Sequence, residues 1–468
     1  MVFSSLVFLS VFLPVVFLSC LAVKNIRIQN GILLAASLLF YAYGEPVYVL
    51  LMTGSSFVNY LAARGIAAQK KRKTCILAAV VVWNLGLLVV FKYTGFLVSS
   101  WNTLTGMAVP VPQIALPIGI SFFTFQAMSY VIDVYRGETE VQKNFGKVLL
   151  YISFFPQLIA GPIVKYHDVE QEITKRSQDA KSIARGIRRF IAGLSKKVFL
   201  ANTMGLVADT LFGADLGNIN IVGAWMGAVS YLLQIYFDFN GYSDMAIGLG
   251  WMFGFHFKEN FNYPYVSSSI REFWRRWHIS LSGWFKEYLY IPLGGNRKGR
   301  LRTSLNKLIV FLCTGIWHGA NVTFLFWGLF HGFFMVLEEN LPFFKTDSGK
   351  KRSRGKQCLC HVYTLLVVLI GFVFFRADTM SQGAYWVGQM FGGFHFEKEC
   401  MVLAARLLTP WNILWACMGV LACLPVKKLA EGRMWYEKLV FPASLAAFVL
   451  CMLQLAGGTY NPFIYFRF

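Results

Sequence analysis

Residues 260–302 read NFNYPYVSSSIREFWRRWHISLSGWFKEYLYIPLGGNRKGRLR, a block that is polar, aromatic and basic. Long apolar runs lie on both sides of this block, at residues 221–250 and at residues 308–318. Ionisable side chains beside hydrocarbon are costly, and where membrane proteins keep them they are usually functional. The block therefore predicts a functional site inside a membrane protein.

The composition of the whole chain also indicates a membrane protein. Of its 468 residues 56% are hydrophobic and 14% are charged, whereas soluble domains carry about 25% charged residues. Apolar runs of about 17–25 residues, the length that spans a bilayer, recur from end to end. We predict an all-α polytopic integral membrane protein with roughly ten to twelve transmembrane helices.

The net charge is +21, because 44 basic residues face 23 acidic ones. The basic residues lie mostly in short loops between apolar runs, which marks those loops as cytoplasmic. We therefore exclude nucleic acid as a partner and expect the lipid bilayer, with the basic face available to anionic headgroups or a phosphate-rich cofactor. The order of the basic loops predicts an extracytoplasmic N-terminus. The basic stretch at residues 345–356 is predicted to be a plain solvated loop.

One apolar run differs from the others. Residues 149–164 read LLYISFFPQLIAGPIV, and Pro156, Gly161 and Pro162 do not suit a continuous helix. We predict a re-entrant or broken helix at this place, which a membrane tolerates only where protein or water lines it. Residues 168–190 are predicted to form an amphipathic helix at the cytoplasmic interface.

His318 lies in GIWHGA (315–320), with apolar residues on both sides. A lone histidine in such a place is commonly a buried structural residue. However, Gly315 and Gly319 allow close approach of backbone or ligand, and Asn321 adds a second polar group. An apolar environment favours the neutral imidazole, which can accept a proton as a general base does. We predict a catalytic role for His318 and place Asn321 in the binding site.

His278 belongs to the polar block. If residues 270–281 form one helix, Arg271, Trp274 and His278 share a face, with Arg275 beside them. Arginine with flat aromatic rings suits phosphates and planar groups, although Trp and Arg also form anchoring belts at membrane interfaces. We favour a cluster that faces substrate or donor. Its predicted binding residues are Arg271, Trp274, Arg275, Arg276 and Trp277.

The stretch YFDFNGYSDMAIG (236–248) places Asp238 and Asp244 in an otherwise apolar run. Two carboxylates in such a place need partners such as arginine or histidine. Two interpretations remain open from the sequence. The carboxylates are counter-ions of the arginine cluster, or they orient a catalytic histidine. Asp238 and the neighbouring Asn240 are included among the predicted binding residues.

The sequence lacks the signatures of several other enzyme classes. It contains no Gly-x-Ser-x-Gly elbow, Walker loop or HExxH motif, so a serine-nucleophile enzyme, an ATPase and a zinc hydrolase are not supported. Cys358, Cys360 and His361 form a single C-x-C-H without a second ligand pair, which is a weak metal signal. We expect no metal and no tightly bound cofactor.

The ordered motifs of the chain resemble those of bacterial membrane-bound O-acyltransferases, in the alginate-type O-acetylation branch. The resemblance covers nearly the whole chain and is carried by MVFSS (1–5), LPIGISFFTFQAMSYVIDVYRG (116–137), SFFPQLIAGPIVKYHD (153–168), YFDFNGYSDMAIG (236–248), NFNYPY (260–265), FWRRWHISLSGWFKEYLYIPLGGN (273–296), GIWHGA (315–320), WGLFHG (327–332) and FIYFRF (463–468). Asn240 departs mildly from this pattern, since the branch more often has serine at its position.

The resemblance implies a ring of transmembrane helices around a central tunnel, in one domain over residues 1–468. We divide it into N-terminal helices (1–148), a catalytic core with the re-entrant segment and both site histidines (149–338), and C-terminal helices (339–468). By this resemblance His318 corresponds to the essential intramembrane histidine of the family. His278 corresponds to the second histidine of the site.

The implied reaction moves an acyl group, usually acetyl from acetyl-CoA, across the cytoplasmic (inner) membrane for O-acetylation of an extracytoplasmic polysaccharide. An extracytoplasmic serine-hydrolase-like (SGNH-type) acetyltransferase partner is expected to complete the transfer. The enzymatic alternative is D-alanyl transfer toward teichoic acid, which requires a carrier protein at the cytoplasmic face. A transporter or flippase and a scaffold for envelope assembly are the non-enzymatic alternatives, since intramembrane charges also mark transport paths.

Overall fold

The computed structural model describes residues 1–69, 71–344, 353–426, 430, 432–458, 460–461 and 463–464. The described residues are mainly helical and contain no β-strand. The predicted fold class, an all-α polytopic membrane protein, is confirmed. Most of the predicted basic loop at 345–356 and residues 465–468 of the C-terminal motif lie outside the described residues.

Helices of fewer than ten residues occur in two places, at residues 145–174 and in the polar block. The first half of the chain contains α1 (Phe8–Leu21), α2 (Ile26–Ala42), α3 (Tyr48–Ala68), α4 (Lys73–Thr105), α5 (Ile120–Arg136), α6 (Phe145–Ser153), α7 (Phe155–Leu158), α8 (Tyr166–Thr174), α9 (Ala180–Phe212) and α10 (Ile221–Met252). The second half contains α11 (Ile270–Arg276), α12 (Ile279–Phe285), α13 (Gly299–His318), α14 (Val322–Asn340), α15 (Arg354–Arg376), α16 (Met380–Gly392), α17 (Lys398–Leu407), α18 (Pro410–Ala422) and α19 (Met434–Ala456). The short helices α11 and α12 therefore interrupt a series of long apolar ones at the predicted site.

Five of the described helices are long and apolar enough to cross a membrane, namely α4, α9, α14, α15 and α19. The pair α17 and α18 meets at 69° and passes the same test as one broken span. Helices α1 and α2 are shorter apolar helices. The chain is therefore a multi-pass membrane protein, and the total of roughly ten to twelve spans stays a prediction.

The chain divides into two compact units. Unit 1 comprises Met1–Ala192 and Tyr242–Lys258, and unit 2 comprises Gly193–Gly241 and Glu259–Phe468. The division falls within α9 and within α10, so each of these helices contributes residues to both units. Both predicted catalytic histidines lie in unit 2.

In unit 1 the apolar run at residues 149–164 is broken, as predicted. Helix α6 ends at Ser153, Phe154 leaves the helical conformation with ψ 113°, and Pro156 lies in the first turn of α7. The chain then continues without helix as far as Lys165, and nearly all of it is buried. Proline suits the start of a helix but not its interior, which explains why the run breaks where it does.

The predicted amphipathic helix over residues 168–190 is wrong. Helix α8 ends at Thr174, and α9 begins only at Ala180 and runs on to Phe212. In the turn between them the Arg176 guanidinium donates to Asn30 Oδ1 at 2.6 Å, and the Gln178 amide donates to the Met252 carbonyl at 3.0 Å. Contacts with distant parts of unit 1 thus impose a turn that the local charge pattern does not show.

In unit 2, α13 and α14 form a closely packed hairpin. Gly315 and Gly328 face each other at the crossing, and a Cβ at Gly315 would collide with the Phe324 carbonyl oxygen. Small residues allow helix backbones to approach closely in membranes. Because His318 is the last residue of α13, this crossing fixes the position of its backbone.

Candidate active site

The predicted single helix over residues 270–281 is wrong, because the chain turns at His278. Ser269 caps α11, its hydroxyl accepting a hydrogen bond from the Glu272 N–H at 3.0 Å, and α11 ends at Arg276. His278 then adopts φ 44° and ψ 56°, a left-handed conformation that is uncommon for a residue with a Cβ. Such conformations persist only where the surroundings impose them, and they cluster at functional sites.

His278 is fully buried, and aromatic side chains surround its ring. The ring centroid of Phe239 lies 4.6 Å away and that of Trp317 lies 6.0 Å away, both edge-on. The Nδ1 atom lies 3.2 Å from Asn260 Oδ1, and Nε2 has no hydrogen-bond partner among the described residues. Burial lowers the pKa of His278 to about 3, so its imidazole is neutral at physiological pH.

His318 lines a small cavity of about 20 Å³, which we call the histidine chamber. The His318 side chain is buried, and the ring centroids of Trp327 and Phe375 each lie 5.1 Å from its own, edge-on. A cavity of this size holds about one water-sized group. The remaining walls are formed by Ile235, Phe239, Trp277, Phe372 and Ile464.

The two histidines belong to one aromatic cluster. Trp317 contacts both, with ring centroids 6.0 Å from His278 and 5.0 Å from His318. Phe239 contacts His278 and also lines the histidine chamber. The start of α12 and the end of α13 therefore bring the two predicted catalytic residues close together.

A second cavity, of about 570 Å³, lies beside α11 and α13, and we call it the cationic cavity. Arg271, Trp274 and Arg275 line it, so three residues of the predicted cluster do share one surface. Together with them, the charged lining residues are Lys286, Lys307 and Glu339. Four basic side chains therefore face a single acidic one in its wall.

The ion pairs of the cationic cavity leave part of its positive charge uncompensated. Glu339 lies 3.9 Å from Arg271 and also pairs with Lys307. Arg275 and Lys286 have no ion-pair partner among the described residues, although both line the cavity. The cavity is thus suited to an anionic ligand, because arginine and lysine bind phosphate and carboxylate oxygens.

A pair of tryptophans separates the two cavities. Trp274 lines the cationic cavity and Trp327 lines the histidine chamber, and their ring centroids are 5.6 Å apart. The ring centroid of the buried His331 lies 5.3 Å from that of Trp274 and 5.2 Å from that of Trp327. The Trp274–Trp327 contact therefore links the wall of the cationic cavity to the wall of the histidine chamber.

The other two residues of the predicted cluster face elsewhere. Trp277 lines the histidine chamber rather than the cationic cavity. Arg276 lines neither cavity, since its guanidinium lies 2.8 Å from Glu272 and donates to the Asn262 carbonyl at 3.1 Å. Arg276 therefore stabilises α11 through an i, i+4 pair and holds the preceding loop.

Asp238 pairs with a residue that the sequence analysis did not consider. Its carboxylate lies 2.7 Å from Lys197 Nζ and accepts a hydrogen bond from the Ile464 N–H at 2.6 Å. Asp238 is therefore the counter-ion of Lys197, and both interpretations made from the sequence are wrong for it. Asp244 lies in unit 1, where Arg189 approaches it to 2.6 Å.

The two predicted asparagines do not line either cavity. Asn240 is buried on α10, next to the residues that form the chamber wall. Asn321 caps α14, since its Oδ1 accepts from the Thr323 N–H at 3.1 Å and its Nδ2 donates to the Asp378 carbonyl at 2.9 Å. The placement of Asn321 thus gives it a structural task at the start of a helix.

The residues of the site that were missed from the sequence include Asn260, Lys286 and Ile464. Asn260 contacts His278, Lys286 lines the cationic cavity, and Ile464 lines the histidine chamber. The sequence could have indicated Asn260, because it opens the NFNYPY motif, and Lys286, because it lies in the polar block. No local pattern marks Ile464, because it reaches the chamber from the far end of the chain.

The cysteine and histidine side chains of the C-x-C-H stretch have different surroundings. Cys358 is exposed and Cys360 is buried, while His361 Nδ1 lies 3.0 Å from the Ser267 carbonyl oxygen. A structural zinc site needs four convergent ligands. In the part of the chain that the structure describes, no three His, Cys, Asp or Glu side chains are arranged to hold a metal ion.

Comparison with known proteins identifies the class. Residues 87–377 match the family model of MBOAT, the membrane-bound O-acyltransferase family, and this range includes both histidines and the residues that line the cationic cavity. The chain belongs to this family and is an acyltransferase. The resemblance seen in the motifs is thereby confirmed.

Individual relatives extend the match to the whole chain. The chain is 38% identical to the probable alginate O-acetylase AlgI of Pseudomonas putida, over 100% of both proteins. It is 36% identical to the peptidoglycan O-acetyltransferase of Helicobacter pylori, over 81% of this chain and 78% of the relative. Similarity to the teichoic acid D-alanyltransferase of Bacillus subtilis is lower, at 30% identity over 55% of this chain and 68% of the relative.

Proposed function

We propose that the protein takes an acetyl group from acetyl-CoA and moves it across the cytoplasmic membrane for O-acetylation of an extracytoplasmic polysaccharide. The cationic cavity is the observation that carries this proposal. CoA bears several phosphate oxygens and a planar adenine ring, which suit Arg275, Lys286 and the face of Trp274. A thioester is already activated toward a hydroxyl, so the reaction does not require an ATP-binding motif.

The chemical step takes place at the histidines. His318 removes the proton from an attacking hydroxyl, whose oxygen forms an ester bond with the acetyl carbon. The carbon–sulfur bond breaks, and the CoA thiolate takes the proton back from the His318 imidazolium. The Nε2 atom of His278 accepts a hydrogen bond from the reacting groups. A positioned base contributes about 10²–10⁴-fold to the rate, and the aromatic walls keep water away from the thioester.

The dimensions of the histidine chamber favour a small acyl group. At about 20 Å³ it admits a methyl-sized group, whereas a longer acyl chain requires Trp327 or Phe375 to move. A D-alanyl group also carries an ammonium, for which the aromatic and aliphatic walls offer no counter-ion. The full-length similarity to an alginate O-acetylase adds to this argument for acetyl. D-alanyl transfer remains the enzymatic alternative.

The orientation in the membrane follows from the basic loops. Positive loops mark the cytoplasmic face, which gives an extracytoplasmic N-terminus. Asn296 and Thr303, on either side of the basic run at residues 297–302, line the cationic cavity. The cavity then opens toward cytoplasmic acetyl-CoA, and an extracytoplasmic SGNH-type acetyltransferase receives the acetyl group and passes it to the glycan.

The proposal is tested by measuring base-labile esters on the envelope and secreted polysaccharide of the source cell. The strains are the wild type, a deletion, and the deletion complemented with the intact gene. Each alkaline extract is assayed for both acetate and D-alanine. We expect acetate alone to fall in the deletion and to return on complementation. A fall in D-alanine alone would favour the alternative, and no change in either would contradict both.

Replacement of Arg275 by glutamine is expected to raise the KM for acetyl-CoA about 10–100-fold, because hydrogen bonds to charged groups contribute roughly 1.5–3 kcal/mol. The kcat should change less, since Arg275 does not line the histidine chamber. Initial rates in membranes over a range of acetyl-CoA concentrations provide the measurement. Arg276→Gln is the matched control on the same helix, and equal effects of the two substitutions would rule out this role for the cavity.

A further inference from the structure

Asn260 packs against His278 and is fixed there by several hydrogen bonds. The residue is fully buried, and its backbone carbonyl accepts a hydrogen bond from the Ile279 N–H at 2.9 Å. Its Oδ1 accepts hydrogen bonds from Ser280, at 3.2 Å from the backbone N–H and at 2.9 Å from the hydroxyl. The same oxygen lies 3.2 Å from His278 Nδ1. Asn260 thus contacts all three residues at the start of α12.

These contacts fix the position of the proton on the His278 ring. The backbone N–H of Ser280 can only donate, so the amide atom that faces it is oxygen and not nitrogen. An amide oxygen only accepts hydrogen bonds, so His278 Nδ1 must carry the proton that points toward it. In the neutral ring the lone pair is then on Nε2, which is buried and has no hydrogen-bond partner among the described residues.

We propose that Asn260 is a positioning residue, which holds His278 in the Nδ1–H tautomer so that Nε2 presents its lone pair to the reacting groups. This inference rests on the proposed acyl transfer and adds a residue that the sequence analysis did not predict. It also accounts for the left-handed backbone of His278. The backbone carbonyl and the side-chain oxygen of Asn260 accept hydrogen bonds from Ile279 and Ser280, which follow the turn directly. These hydrogen bonds offset the strain of the left-handed conformation.

The surroundings of His278 leave Asn260 as its polar partner. The aromatic side chains that contact the ring are Phe239, Phe261 and Trp317, none of which titrates near neutral pH. No charged side chain in the described part of the chain interacts with the imidazole. A change in the charge at position 260 should therefore act directly on the proton equilibrium of His278.

The test compares Asn260→Ala, Asn260→Asp and Ser280→Ala in membranes, with the amount of folded protein measured in each. Asn260→Ala removes the acceptor, and kcat is expected to fall about 10–100-fold, the range found when a partner that orients a metal-ligating histidine is lost. The KM for acetyl-CoA should stay within about twofold, because Asn260 does not line the cationic cavity. Ser280→Ala removes a different hydrogen bond to the same oxygen and serves as the structural control.

The pH profile separates positioning from a merely structural role. In Asn260→Asp a carboxylate stabilises the His278 imidazolium and raises its pKa by about 1–3 units. His278 must be neutral to accept at Nε2, so activity present at high pH is lost as the pH falls through the raised pKa. The acid limb of kcat should therefore move upward in Asn260→Asp, and Ser280→Ala should keep the wild-type profile.

The outcomes distinguish this inference from the proposed function. The positioning role is wrong if the wild type transfers acetyl and the Asn260→Ala variant keeps the wild-type kcat. It is also wrong if Asn260→Asp and Ser280→Ala both show the pH profile of the wild type. If the wild-type membranes transfer no acetyl group from acetyl-CoA, the proposed function fails before the variants are compared. A shifted acid limb in Asn260→Asp with reduced kcat in Asn260→Ala supports the inference.

Discussion

The His318→Ala variant is expected to lose acyl transfer by about two to four orders of magnitude, the contribution of a positioned general base. His318 is the titratable group in the wall of the histidine chamber, and the other lining residues are aliphatic or aromatic. None of them can take over the proton. The cationic cavity remains intact in this variant, so the KM for acetyl-CoA should change little.

The measurement is the initial rate of acetyl transfer in membranes that contain equal amounts of folded protein. His331→Gln is the matched control, because His331 is a second buried histidine that contacts Trp327 and lines neither cavity. The control should retain most of its activity per folded molecule. If His318→Ala and His331→Gln lose activity equally, the effect comes from packing, and His318 is not the base.

Replacement of Asp238 by alanine is expected to destabilise the protein by about 3–5 kcal/mol, the usual effect of removing one partner from a buried ion pair. The Asp238 and Lys197 side chains are both almost completely buried and lie 2.7 Å apart. The substitution removes the carboxylate that faces the Lys197 ammonium, and it also removes the acceptor of the Ile464 N–H. Folded protein should decline because of both losses.

The thermal unfolding midpoint of the detergent-solubilised protein provides the measurement for Asp238→Ala. The double variant Lys197→Met with Asp238→Leu is the control, because it replaces the ion pair by apolar side chains of similar length. Such replacements are often neutral or stabilising. We therefore expect the double variant to recover much of the lost midpoint. An unchanged midpoint in Asp238→Ala would show that the pair contributes nothing to stability.

Local patterns predicted the parts of the site that lie on one continuous element. Arg271, Trp274 and Arg275 share a surface because α11 is a regular helix over that range, and helical spacing is legible in a sequence. The break in residues 149–164 was also predictable, because proline and glycine restrict the backbone whatever surrounds them.

The errors arise where contacts between distant residues decide the structure. The turn at His278 is imposed by Asn260 and Ser280 and not by any helix-breaking residue, so the sequence predicted a continuous helix. Asp238 was expected either to pair with the arginine cluster or to orient a catalytic histidine, yet its partner Lys197 lies on α9. A periodic pattern identifies a face of a helix, but it does not identify which element packs against that face.

The contact between Trp274 and Trp327 has a consequence for the movement of protons between the two cavities. A pathway that carries acyl groups through the cytoplasmic membrane is also a potential leak for protons, which move readily along continuous files of water. With the two rings 5.6 Å apart and room for about one water molecule in the chamber beyond them, a file of water between the two cavities is interrupted at this contact. The tryptophan pair therefore opposes proton movement between the cationic cavity and the histidine chamber.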